Sequence, residues 1–268
     1  MVAGVGMTFR NRVVVITGGA SGIGWALAQC FLEAEARVIL LDLDQEALDG
    51  RLKEGHKTAA LLTGHPCDVT SHEHVKDLAR QIKDDYGRLD FWVNNAGIAQ
   101  VGPYDSQDMD AVRQVLGVNL FGVIHGTNAA LDVMKDQAEG SIINMASVAG
   151  HLPSPLLVTY CTSKHAVVGY TRALQDELKW SGSRVRAVLV SPGFVDTPLI
   201  RSEERHWIPQ WLQKKFATPE KVAAEVMRGL ERKELEIFPT FNGRVFMALG
   251  KVTPGMIRRT GVRILRSR

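Results

Sequence analysis

Short, uninterrupted apolar runs alternate along this chain with longer segments of helical spacing, and no other feature restricts its fold as much. RVVVIT from Arg12, ARVILLD from Ala36, the run inside TAALLTGHPCDVT, LDFWVNN from Leu89, GSIINMAS from Gly140, RVRAVLVS from Arg184 and LEIFPT from Leu235 read as strands. Strands that are apolar on both faces must be covered on both faces. Helical segments between such strands supply that cover and the crossovers of a parallel sheet. The expected fold is therefore α/β: a Rossmann-type doubly wound, mostly parallel seven-stranded sheet with helices on both faces. In such sheets the crossovers are right-handed and ligands bind beyond the carboxyl ends of the strands.

The intervening segments support this reading. Ile23, Leu27, Cys30 and Phe31 follow the first strand at helical spacing, and DQEALDGRLKE is a polar helix after the second. Thr70 to Glu73 has capping-box spacing for a helix through Tyr86. One long helix is expected from about Gln107 to Lys135, another over TYCTSKHAVVGYTRALQDEL, and a third from Pro219 with Thr218 as its cap. No repeat or linker divides the 268 residues, so a single domain covering 1–268 is expected, its body ending near Thr240.

Hydrophobic residues make up 45% of the chain and charged ones 23%, enough for a large buried core in a globular protein. Cys30, Cys67 and Cys161 are odd in number and without paired spacing, which fits a reducing compartment rather than a disulfide framework or zinc site. His56, His65, His72 and His74 form no ligand grouping, so no metal is expected. The N-terminal stretch lacks the pattern of a signal peptide, and no run of about 18 apolar residues suggests a span, so a cytoplasmic protein is expected. Net charge is +3, yet seven basic residues and no acid fall between Ile237 and Arg268. Nucleic acid is not expected as a partner, because basic residues without a recognition motif are weak grounds for it.

Three local patterns carry chemistry. TGGASGIG (17–24) joins the first strand to the first helix. Its glycines permit a tight turn, and the helix start offers unpaired N–H groups to a pyrophosphate. Asp42 closes the second strand, where a carboxylate accepts hydrogen bonds from an adenosine ribose and repels a 2′-phosphate. Neither Ser21 nor Leu43 offers the cation such a phosphate would need, so NAD is expected over NADP. Tyr160 and Lys164 stand four positions apart on one helical face, so the ammonium can lie beside the ring and its hydroxyl. A free tyrosine has a pKa of about 10, and a fixed cation favours the phenolate. The pair could equally be a half-exposed ring with a lysine stem resting on it.

In their order, TGGASGIG, NNAG (94–97), Ser147, YCTSK (160–164) and PG (192–193) resemble the classical short-chain dehydrogenase/reductase family over about residues 10–200. The resemblance implies that Tyr160 is the catalytic acid/base and that Lys164 lowers its pKa and holds the nicotinamide ribose. It further implies that Ser147 bonds the substrate oxygen and that Asn119 completes the tetrad by holding a water in a proton relay. For the cofactor it implies the turn residues Gly18, Ser21, Gly22, Ile23 and Gly24, then Asp42 and Leu43, Asp68 and Val69 at the adenine, and Asn95, Ala96 and Gly97. Tyr160, Lys164, Pro192 and Gly193 complete that set, with Val195 and Thr197 at the carboxamide. The implied activity is NAD(H)-dependent interconversion of an alcohol and a ketone or aldehyde by a homotetramer or homodimer. The alternative is a catalytically silent dinucleotide-binding scaffold or sensor.

The substrate is less well defined. Ser147 and Tyr160 would face it, and His151, in the loop after Ser147, is a further candidate contact. Leu199, Ile200, Trp207, Ile208, Trp211, Leu212 and Phe216 could form one apolar side of a mobile helical lid over about 198–217, or simply pack on the body. A lid of this kind favours a sizeable apolar alcohol or ketone, such as a sterol, a retinoid or a lipid-derived compound. The basic tail, about 241–268, mixes apolar and cationic residues in two pieces divided by Pro254 and Gly255. It suits either a cover for the active-site mouth or a peripheral contact with anionic membrane.

Overall fold

The computed structural model describes residues 9–54, 60–200 and 202–252. Seven strands form one parallel sheet: β1 (Val13–Thr17), β2 (Arg37–Asp42), β3 (Leu62–Pro66), β4 (Phe91–Asn94), β5 (Gly140–Met145), β6 (Val185–Val190) and β7 (Glu236–Ile237). Their order is β3-β2-β1-β4-β5-β6-β7, and every pairing is parallel. The chain runs outward from β1 to β3, then crosses back to β4 and continues the other way. The switch lies between β1 and β4, so their carboxyl ends open the crevice where such folds bind ligand.

Both sheet faces are buried, as the apolar runs require. On one face Val14, Ile16, Val38, Leu40 and Val93 pack with Phe31 and Leu27 of α1 (Gly22–Glu33) and Val222 and Val226 of α8 (Pro219–Glu231). On the other, Val15, Ile39, Leu41 and Trp92 pack with Val75 and Ile82 of α3 (His72–Tyr86) and Ala130 and Met134 of α5 (Gly122–Met134). The polar α2 (Gln45–Glu54) buries only Leu48. A buried polar chain ties the second face together. Trp92 Nε1 donates to Asn94 Oδ1, Asn94 Nδ2 to Thr127 and Asn144, and Asn144 Nδ2 to Thr171 of α6 (Val158–Trp180).

Several boundaries differ from the sequence expectation. Ser71, not Thr70, caps α3, and its Oγ accepts from His74 N, because the Thr70 hydroxyl is drawn to Asp68 Oδ1 at 2.7 Å. The long helix is interrupted. A short turn at Tyr104–Ser106 precedes α4 (Met109–Leu116), a π turn spans Gly117–Phe121, and α5 follows. The lid segment is a 3₁₀ turn, Ser202–Trp207, and the single helical turn α7 (Gln210–Gln213), rather than one helix. Leu199, Ile200, Trp207, Ile208, Leu212 and Phe216 are half-buried, while Trp211 is exposed. Phe194 and Phe216 stack with centroids 5.4 Å apart, and Val195 bridges Ala217, closing the base of that segment. α9 (Phe241–Val252) follows β7. The remainder of the basic tail, with Pro254 and Gly255, lies outside the described residues, as does His56.

Candidate active site

The glycine turn is shaped by its backbone. Gly18 (φ +61°) and Gly22 (φ +52°) occupy the left-handed region, which disfavours a side chain. A Cβ on Gly18 would lie 2.8 Å from Ala96 Cα, and one on Gly24 would strike the Gly18 carbonyl. Thr17 is the hub beneath: its Oγ1 accepts from Asn95 N (3.0 Å) and Ala96 N (3.1 Å), while Asn95 Nδ2 donates to the carbonyls of Thr17 and Gly18. Ser21 is the N-cap of α1 but makes no side-chain cap bond, so the first N–H groups of the helix keep their capacity to donate. Ile23 anchors the helix start against the core. Thr197 stands over the turn, 3.2 Å from where a Gly22 Cβ would be. The turn is thus a backbone-lined cradle at a helix N-terminus, a geometry that suits a pyrophosphate.

Asp42 is held at the same corner, its Oδ2 accepting from Ala20 N at 3.0 Å and its Oδ1 from Asp44 N. Leu43 is exposed. One cation nearby escaped the sequence reading: Arg51, from α2, donates through Nε to the Ala20 carbonyl (2.9 Å), lies over the Trp25 ring and pairs with Glu54. Asp68 folds onto Thr70, and Val69 is buried against Gly122 with its carbonyl 3.0 Å from His125 Nδ1.

At the carboxyl ends of β4 and β5 the remaining residues converge. Tyr160, in the first turn of α6, is buried with its hydroxyl beside that of Ser147, which caps the 3₁₀ turn Val148–Gly150 by accepting from Ala149 N. The Lys164 ammonium lies 5.7 Å from the Tyr160 ring centroid and donates to the Met145 carbonyl at 2.8 Å. A Cβ on Gly97 would stand 3.4 Å from Asn119 Oδ1 and 3.7 Å from Lys164 Nζ, so Gly97 keeps this corner open.

Burial pushes the Tyr160 phenol up to about 12, with the Ser147 hydrogen bond working against the rise, and it brings Lys164 down to about 8. Without bound cofactor, desolvation disfavours both charged forms, and the Met145 carbonyl holds the ammonium beside the ring. Asn119 does lie in the site, but both ends of its carboxamide are occupied. Oδ1 accepts from Ile98 N (2.8 Å), and Nδ2 donates to Ile98 O (2.9 Å) and to Ser163 Oγ, which in turn donates to the Tyr160 carbonyl. The Oδ1 atom keeps a second lone pair, and the carboxamide fastens the π turn to the loop after Gly97. Ser163 was another residue missed in the sequence. Cys161 is a buried thiol that burial pushes up. His151 is tied back toward β6, its Nε2 3.0 Å from Ser191 Oγ and its ring against Phe238.

The fold and these groups define a dinucleotide-dependent oxidoreductase. The short chain dehydrogenase family model matches residues 12–207, and the chain belongs to that family, whose members act on CH–OH carbons. It is similar to a 15-hydroxyprostaglandin dehydrogenase (NAD+) of Bos taurus, 38% identical over 209 residues covering 74% of each protein. The 3-oxoacyl-acyl-carrier-protein reductase FabG of Thermotoga maritima is 34% identical over 228 residues, covering 82% of this chain and 91% of the other. A crystal structure of a short chain dehydrogenase/reductase from Burkholderia phymatum in complex with NAD superposes with a TM-score of 0.84 at 26% identity, covering 95% of this chain and 96% of that one.

Proposed function

We propose that the protein is an NAD(H)-dependent dehydrogenase that interconverts a secondary alcohol and a ketone, or a primary alcohol and an aldehyde, on a sizeable apolar substrate. The observation that carries this reading is the buried Tyr160 hydroxyl beside Ser147, with Lys164 one helical turn away and its ammonium 5.7 Å from the Tyr160 ring centroid. When bound, NAD supplies the hydride acceptor for oxidation and, reduced, the hydride for reduction. Gly18, Ser21, Gly22, Ile23 and Gly24 hold its pyrophosphate, Asp42 its adenosine ribose with Leu43 alongside, and Asp68 and Val69 border the adenine. Asn95, Ala96 and Gly97 pack against it, Lys164 holds the second ribose, and Pro192, Gly193, Val195 and Thr197 hold the carboxamide. Ser147 and Tyr160 grip the substrate oxygen, and Tyr160 takes the hydroxyl proton or returns it. Asn119 completes the tetrad by holding a water in the proton relay. Relatives named for a hydroxyprostaglandin and a 3-oxoacyl group support a lipid-derived substrate, as do the apolar residues of the 198–217 segment.

Turnover of secondary alcohols and ketones with NAD(H) tests the assignment. Tyr160→Phe is expected to bind NADH but lose activity by orders of magnitude. A wild-type chain that binds NADH without turning over any panel substrate would favour the silent scaffold instead. Asp42→Ala should erode the preference for NAD over NADP, more so because Arg51 stands at the same corner. Equal affinity of the wild type for both cofactors would refute that part.

A homodimer or homotetramer is proposed through the faces of α4, α5 and α6, where Met109, Phe121 and Val158 are exposed; a monomer in sedimentation would refute it. The exposed Phe241 and Val245 on α9, leading into the basic tail, favour peripheral contact with anionic membrane. Failure of the full chain to co-sediment with anionic vesicles at low salt would remove that role and leave the tail as a cover.

A further inference from the structure

Beyond β7 the chain turns back on the site described above. Thr240, buried immediately before α9, accepts with its Oγ1 from Gly193 N at 2.9 Å and from Gly243 N at 3.2 Å. The approach is too close for side chains. A Cβ on Gly193 would lie 2.5 Å from Asn242 Oδ1 and 2.7 Å from Thr240 Oγ1, and a Cβ on Gly243 would lie 2.6 Å from that same oxygen and 3.1 Å from Val148 Cγ1. Val148 N in turn donates to the Pro192 carbonyl at 2.9 Å, and His151 joins Ser191 to Phe238. Three segments, 147–151, 191–193 and 238–243, are thereby interlocked, with one threonine oxygen at their centre.

We infer that Thr240 is a positioning residue for the nicotinamide end of the cofactor site and makes α9 part of that site. The inference rests on the proposed assignment of Pro192, Gly193, Val195 and Thr197 to the carboxamide. The Gly193 amide leads directly into that stretch, so the oxygen that fixes it sets where the stretch begins. The same oxygen fixes the first turn of α9, so seating of the helix and seating of the cofactor are energetically linked, and the linkage runs both ways. Loss of the oxygen leaves the Gly193 amide hydrogen without its acceptor, whereas Gly243 N keeps Asn242 Oδ1 at 2.8 Å, so the loop at Gly193 relaxes to recover solvent.

The test compares the full-length wild type with Thr240→Val, which keeps the shape and removes the acceptor, and Thr240→Ser, which keeps the acceptor. NADH affinity is expected to fall about tenfold in Thr240→Val and to stay within about twofold in Thr240→Ser, from the cost of an unmet buried donor. ADP-ribose, which lacks the nicotinamide, should bind all three alike. Hydrogen exchange of the 238–252 segment should slow when NADH is added to wild type, and not when ADP-ribose is added. Should Thr240→Val fail to fold, the wild-type exchange experiment decides alone. Unchanged NADH affinity in a folded Thr240→Val, equal loss of ADP-ribose binding, or NADH binding without protection of 238–252 would each overturn the inference while leaving the proposed function standing. A wild type that binds neither NADH nor ADP-ribose would overturn both.

Discussion

Gly150 lies at the closest approach between the Ser147 turn and the helix that carries Tyr160 and Lys164, and Gly150→Ala should separate them. A Cβ at this position would stand 2.5 Å from the Lys164 carbonyl oxygen, 2.8 Å from its carbon and 3.0 Å from Val168 Cγ2. The first two are backbone atoms inside α6 and cannot rotate away. Ordinary van der Waals contact begins at 3.4 Å, so the turn must retreat by about 0.9 Å unless the helix distorts. Ser147 caps this three-residue turn through Ala149 N, so the retreat is transmitted to the hydroxyl that lies beside Tyr160. A displacement near 1 Å in a reacting constellation costs on the order of 100-fold in rate.

The expected result is a kcat about 100-fold below wild type, with stability lowered by about 1–3 kcal/mol, as overpacking usually costs. ADP-ribose affinity should not change, because the glycine turn and Asp42 do not touch Gly150. Steady-state kinetics, a urea titration and ADP-ribose binding read the three quantities separately. Gly50→Ala is the control: apart from its chain neighbours and the backbone of its own helix, no atom lies within 4 Å of its Cβ position in α2, so it should stabilise by up to about 1 kcal/mol through helix propensity. Wild-type kcat in Gly150→Ala would refute the idea that this glycine sets the Ser147–Tyr160 spacing. So would a kcat loss matched by equal loss of ADP-ribose binding.

Asn94→Ala should cost about 2–4 kcal/mol in a urea titration, since Trp92 Nε1 and the Thr127 and Asn144 side chains all lose a partner in a buried place; a loss below about 0.5 kcal/mol would mean the network contributes little. The pH dependence of stability without cofactor should carry a Lys164 signature. Its folded pKa of about 8 lies below its ordinary 10.5, so between those values the unfolded chain binds the extra proton and stability rises with pH. Lys164→Met should flatten that rise relative to wild type. For Tyr160, raised from 10 to about 12, the sign is opposite: stability falls with pH across that window, and Tyr160→Phe should remove the fall. A wild-type minus Lys164→Met difference that is constant from pH 8 to 10.5 would show that burial does not shift the lysine.

The parts of the site that could be read from sequence owe their identity to local chemistry. Gly18 and Gly22 are glycines because the backbone turns left-handed there, and Tyr160 and Lys164 meet because helical spacing brings them together. The strands of the sheet were legible because burial on both faces leaves an unbroken apolar run. Where two local signals competed, sequence could not arbitrate: Thr70 and Ser71 are both capping residues, and Asp68 decided between them by taking the Thr70 hydroxyl. The π turn at Asn119 was not read from sequence, and the bonds that hold its carboxamide come from Ile98, 21 positions away.

Arg51, Ser163, Thr240 and Gly150 were missed for a different reason, which also hid the close packing at Gly193, a residue expected only at the cofactor. Gly150 and Gly193 do not have positive φ, so nothing in their own backbone calls for glycine. They are small because another segment passes within 3 Å: the Lys164 carbonyl in one case, the Thr240–Asn242 turn in the other. Thr240 reads as an ordinary strand-end threonine until Gly193, 47 positions earlier, is seen donating to it. Short-range motifs thus mark the groups proposed to touch cofactor and substrate, whereas the spacing between those groups is set by close approaches of distant backbone. Substitutions at Gly150 and Thr240 test that division directly, because each leaves every motif residue in place while shifting the distance between them.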